Sequence, residues 1–148
     1  MTRHELTIKI QNLKRGSGLS WKAIAEAIGP GSPILYTAAL LGQMTLTKIE
    51  AERAAKVLGL STEDAILLTE SPYRGSLSTL PPSDPLIYRF YELLQTYGTT
   101  WKALIEEEFG DGIMSAIDFH MDIQRETNPG GDRVKLSLSG KFLPYRRY

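Results

Sequence analysis

The 148-residue sequence contains no cysteine, which removes disulfides, thiolate metal sites and a cysteine nucleophile from consideration. Histidine is nearly as scarce, and His4 and His120 stand too far apart to form a local metal motif. Neither sign of charge is in excess: 17 basic residues meet 17 acidic ones, so no surplus steers the whole molecule toward nucleic acid or an anionic membrane. No apolar run is long enough to span a bilayer, and charges interrupt the opening MTRHELTIKI where a signal peptide would need an apolar core. The expected compartment is therefore cytoplasmic. What is present is ordinary for a globular chain, with 42% hydrophobic and 23% charged residues. The length suits one medium domain or two small ones.

Residues 1–70 read as short helices with clear punctuation. Leu6, Ile10 and Leu13 recur at helical spacing, and Gly16-Ser17-Gly18 stops that segment. Ser20 is an N-cap for a helix from Trp21 to Ile28 with the apolar stripe Trp21, Ile24, Ala25 and Ile28. After the turn Gly29-Pro30-Gly31, Ser32-Pro33 opens a third helix through ILYTAALL to Gly42. A fourth covers roughly Thr47 to Leu58 with Gly59 as its stop, and a fifth runs from Thr62 to Thr69. The pattern is that of an all-α, helix-turn-helix-like bundle.

Residues 71–85, SPYRGSLSTLPPSDP, hold four prolines and one glycine and read as a linker. The segment 86–148 then forms a second domain. Asp84-Pro85 opens a helix that Gly98 is expected to end at Tyr97, and Thr99 or Thr100 caps another through Phe109. The period then changes from helical to strand-like. Ile117, Phe119, Met121 and Ile123 alternate with polar residues, and Val134, Leu136 and Leu138 do so again beyond the loop Asn128 to Asp132. The fold class is α+β, a helical bundle followed by two helices and one β-hairpin. Two short helices and an isolated hairpin are marginal alone, and Tyr88, Tyr91 and Gln95 fall outside the Ile87, Phe90, Leu94 stripe. This half is expected to form a homo-oligomer through its own surface.

Three groups of residues bear on function. The third helix would be the recognition helix of a DNA reader, yet PILYTAALL holds no Arg, Lys, Asn or Gln, the side chains that read base edges. A packing role for the bundle is favoured over nucleic-acid binding. Arg89 and Glu92 lie three residues apart on one helix face. On periodicity alone they are a solvated ion pair worth ~0.3 kcal/mol. At an oligomer interface the guanidinium would instead need an anionic partner. Ser115 shares parity with Ile117, Phe119, Met121 and Ile123 and is expected to point to their buried side. The alternative is that its hydroxyl satisfies backbone groups where the glycine-rich turn enters the strand. His120 has the opposite parity, so a serine-hydrolase arrangement is disfavoured.

The blocks YRFYELLQTYGTTWKALI, FGDGIMSAIDF and GKFLPY resemble, in order and spacing, the signature of the cyanase family, and the likeness extends into the first half through TAALLGQ. The resemblance implies Arg89, Glu92 and Ser115 as catalytic residues, with neither metal nor cofactor. It implies bicarbonate-dependent decomposition of cyanate to ammonia and carbon dioxide through carbamate, with bicarbonate as co-substrate. It further implies a bundle that does not bind DNA, a C-terminal domain that dimerises, and a decamer of five dimers. Backbone N–H groups of Gly110 to Ile113 are candidates to orient reactant oxygens. Glu92 is expected either to position Arg89 or to handle a proton, with positioning favoured. One arginine per chain is little charge for two anions, so the site is expected to be shared between subunits.

Overall fold

A computed structural model describes residues 1–75, 77 and 80–148; residues 76, 78 and 79 of the expected linker lie outside the described residues. Among the described residues the architecture is α+β, six helices followed by a two-stranded antiparallel sheet. The chain divides into two compact units, Met1–Ser76 and Leu77–Tyr148. No described helix is long and apolar enough to cross a membrane.

The first unit holds α1 (Arg3–Ser17), α2 (Trp21–Ile28), α3 (Pro33–Leu40), α4 (Lys48–Leu58) and α5 (Thr62–Thr69). Local chemistry sets the boundaries. Thr2, Thr47 and Ser61 each build a capping box with the acidic residue three positions on, and Ser20 caps α2 through Ala23. Gly18 and Gly59 close α1 and α4 in the left-handed conformation at φ 69° and 68°. The apolar stripes then meet in one core, in which Leu6, Ile10, Ile24, Ile28, Leu40 and Leu68 are almost wholly buried. Tyr36 belongs to the same core. Its hydroxyl accepts from Gly31 N at 3.0 Å and donates to Glu50 at 3.0 Å, tying the α2–α3 turn to α4. Of α3, only Pro33 and Leu35 are exposed, and neither can donate to a base edge.

Asp64 is fully buried and binds Lys9 Nζ at 2.5 Å while its Oδ2 also accepts from Ser61 N at 3.0 Å. Burial pushes the carboxyl pKa up, but the lysine and the Ser61 bonds more than offset this and hold it below the usual aspartate range. A depressed folded-state pKa adds stability that is complete above the unfolded value of about 4 and disappears as pH falls through the folded one. Thermal melts of wild type are therefore expected to weaken as pH drops below about 4. Asp64→Asn should show a shallower acid dependence, and an unchanged slope would show that the pair carries no such linkage. Glu5, Glu50 and Glu63, also depressed by hydrogen bonds at the starts of their helices, contribute to the acid sensitivity that remains.

The second unit holds α6 (Pro85–Phe109), β1 (Gly112–Glu126) and β2 (Arg133–Pro144). The expected break at Gly98 does not occur: one 25-residue helix replaces the two anticipated. An interior glycine costs about 1 kcal/mol relative to alanine, whereas a break would create two new helix ends with unpaired backbone groups. With no proline nearby, the continuous helix wins. The strands pair from Glu126↔Arg133 to Phe119↔Gly140, slip, and resume from Met114↔Phe142 to Gly112↔Pro144. From Pro85 to Tyr148 the only buried residue is Ser115. Leu86, Leu104, Phe109 and Val134 are each at least 60% exposed, so this unit has no apolar core of its own.

Candidate active site

Arg89 and Glu92 owe their place to the start of α6. Asp84 Oδ1 accepts from Leu86 N at 2.9 Å and Ile87 N at 3.0 Å, and Pro85 supplies the fixed φ of a first helical position. The helix therefore begins at a defined residue, and positions 89 and 92 emerge on one face a single turn in. Arg89 Nη1 donates to Glu92 Oε2 at 2.9 Å. Their side chains remain 70% and 50% exposed in the single chain. One N–H is thus committed to the glutamate, and the rest of the planar donor set stays open to an anion. Beside this pair the Tyr88 and Tyr91 rings lie 6.1 Å apart, and Gln95 donates to the Tyr91 hydroxyl at 2.9 Å.

Ser115 sits in the strand irregularity. Between the pairs Met114↔Phe142 and Phe119↔Gly140, four residues of β1 (115–118) oppose one of β2 (141). The excess loops out of the ladder, as in an enlarged β-bulge. Ser115 Oγ turns back into this loop and accepts from Ile117 N at 3.0 Å and Asp118 N at 2.9 Å. Its burial therefore comes from local backbone satisfaction, the alternative reading above. In the single chain the expected common inward face with Ile117 does not form, because the loop leaves Ile117 98% exposed while Ser115 is buried. Parity counting fails wherever a strand takes on extra residues.

The anticipated backbone donors of Gly110 to Ile113 also need revision, since Gly110 N already donates to Glu106 O at 2.9 Å. A groove of about 370 Å³ does open beside this turn, where Ile113 and Met114 face Leu94, Gly98, Trp101 and Ile105. Arg89 lies more than a turn beyond it toward the start of α6. Among the described residues no hydrogen bond joins Arg89 or Glu92 to Ser115. Nor do any three His, Asp or Glu side chains there gather as metal ligands. Gly140 carries a role that was not anticipated: an added Cβ there would lie 2.4 Å from the Ser115 carbonyl oxygen of the opposing strand, and Gly112 makes the same close approach to Leu143 O. The available signal was a glycine within an alternating strand, which marks a bulge or a close backbone approach.

Comparison with known proteins covers nearly the whole chain. A family model for the cyanate hydratase N-terminal domain matches residues 3–72, and one for the cyanate lyase C-terminal domain matches residues 79–147. Cyanate hydratases of Ralstonia pickettii and Methylibium petroleiphilum are 58% and 57% identical, each over 148 residues and 100% of both chains. A crystal structure of cyanase from T. urticae superposes with a TM-score of 0.81 at 40% identity, covering 94% of this chain and 96% of that one.

Proposed function

The chain belongs to the cyanate hydratase family, and on that premise we propose that it decomposes cyanate, with bicarbonate as co-substrate, to ammonia and carbon dioxide. Cyanate and bicarbonate condense to a dicarboxylate-like intermediate; loss of carbon dioxide leaves carbamate, which breaks down to ammonia and a second carbon dioxide. Overall, one cyanate, one bicarbonate and two protons give one ammonia and two carbon dioxide molecules. Ammonia's three hydrogens are the one that bicarbonate carries and these two protons, which come from solvent; the proposed reaction uses no histidine base, metal or organic cofactor.

The physical difficulty is bringing two anions together. The observation that carries the proposal is the Arg89–Glu92 pair, held in place by a single N–H yet otherwise open, on a unit that leaves its apolar side chains uncovered. A guanidinium presents a lasting positive charge and a plane of donors suited to carboxylate-like oxygens. Once water is excluded, its attraction for the anions strengthens severalfold. Glu92 touches the guanidinium directly and serves as its positioning residue. Ser115 contributes a hydroxyl to the same anions. Holding both reactants in register removes several kcal/mol more of the barrier, on the order of the known advantage of oriented reactions.

The unit's exposed apolar surface is the reason to place the site between chains. A second copy that covers α6 and the hairpin buries Leu104, Phe109 and Ile117, dries the Arg89 face and brings in a Ser115 from elsewhere in the assembly. We take this assembly to be a decamer of five dimers with the helix-turn-helix-like bundle serving packing alone; the apolar exposed face of α3 supports that use. The assay is ammonia release from cyanate with and without bicarbonate. Release that requires bicarbonate is expected, and its absence from folded, oligomeric protein would reject the activity.

A further inference from the structure

We propose that Gly140, which meets neither reactant, is a positioning residue for Ser115, and that the loop it admits fixes the Ser115 hydroxyl as a hydrogen-bond donor. The inference rests on the reading above that Ser115 belongs to the site. Four residues of β1 must be accommodated opposite one of β2, and the surplus folds down over the backbone at Gly140. A Cβ at position 140 would stand 2.4 Å from the Ser115 carbonyl oxygen and 2.6 Å from Met114 Cγ. The methionine end can swing aside, but the carbonyl is part of the loop itself. Opening that contact even to 3.0 Å requires a shift of 3.0 − 2.4 = 0.6 Å in the backbone that carries the serine.

The loop also decides what the serine can do. Both acceptor positions of its hydroxyl are filled, by Ile117 N and Asp118 N. What remains is the O–H, free to donate, and two donors pulling on the oxygen make that hydrogen more positive. Such a group stabilises anionic oxygens and is ill-suited to act as a base or nucleophile, since its lone pairs are engaged. A rigid donor suits charge that moves during the reaction. Misplacement on the ångström scale can cost about a hundredfold in rate.

Gly140→Ala is therefore expected to keep the oligomer mass and circular dichroism of wild type while lowering kcat by about ten- to a hundredfold. Amide hydrogen exchange should accelerate at residues 117 and 118 and stay unchanged at 120–126. Ser139→Ala, one residue away in the ladder, should leave both readouts at wild-type values. Adding Met114→Ala to Gly140→Ala should not restore turnover; full restoration would put the effect on the methionine side chain and overturn the proposal. If Ser115→Ala is inactive while Gly140→Ala matches wild type in rate and exchange, the positioning role fails alone. If Ser115→Ala itself turns over normally, the site reading fails with it. Should Gly140→Ala not fold, exchange still decides. The 117 and 118 amides must be protected in wild type and lose that protection in Ser115→Ala, and protection that persists there contradicts the loop.

Discussion

Arg89→Lys is expected to lower kcat/KM for bicarbonate-dependent ammonia release by about 10²- to 10³-fold, a loss comparable to removing one preorganised oxyanion donor. The substitution keeps the charge, so a purely electrostatic role would leave most of the rate intact. What it removes is geometry. In the native pair, Glu92 occupies a single N–H at 2.9 Å, which leaves the planar remainder of the guanidinium for the proposed anions. An ammonium on a flexible stem has no second edge to present. It would either turn to Glu92 and neutralise it or face the reactants and release the carboxylate. Both outcomes penalise the transition state, in which charge spreads over several oxygens. Because Arg89 and Glu92 are 70% and 50% exposed in the single chain, the fold itself should tolerate the change and melting temperature should hardly move. Turnover close to wild type in a well-assembled Arg89→Lys protein would mean that no bidentate contact exists.

Most helix boundaries in the first unit were legible because they are written in the identity of one or two residues; α3 departs, since Ser32 makes no side-chain cap bond and the helix ends at Leu40 rather than Gly42. Thr47 and Ser61 are followed three positions on by Glu50 and Asp64, and Gly18 and Gly59 supply the left-handed residues that end α1 and α4. Gly98 carried the opposite lesson. The same residue type stops a helix only where the following chain can leave, and inside α6 its modest cost is outweighed by the bonds on either side. The hairpin was legible from its alternation, but its slip was not, since residues 117 to 123 keep an unbroken apolar period while the loop removes 115–118 from pairing. A two-residue period reports which side chains agree with one another, not which partner they face.

In the candidate site, the adjacency of Arg89 and Glu92 followed from spacing alone. The environment of Ser115 followed only in part: backbone satisfaction was one of the two readings, while the close approach of Gly140, 25 positions away (140 − 115), was not foreseen. Close approach of two backbones leaves no trace in periodicity. The proposed interface with other copies showed in the sequence as Tyr88, Tyr91 and Gln95 off the helix stripe and as an unpaired sheet edge; in the fold, Leu104, Phe109 and Ile117 also lie open.

On the proposed mechanism, Arg89 and Ser115 act on the same anions from different chains. This is tested most directly by mixing two inactive proteins, Arg89→Ala and Ser115→Ala, after dissociation and joint reassembly. If the two groups come from separate copies, some sites regain an intact arginine and an intact serine. With random assembly and one of each per site, about a quarter should do so, one half times one half, and fewer if more copies contribute. Bicarbonate-dependent activity should then return from near zero to at most about a quarter of wild type. Mixed oligomers, verified by mass, that remain as inactive as their parents would contradict the mechanism.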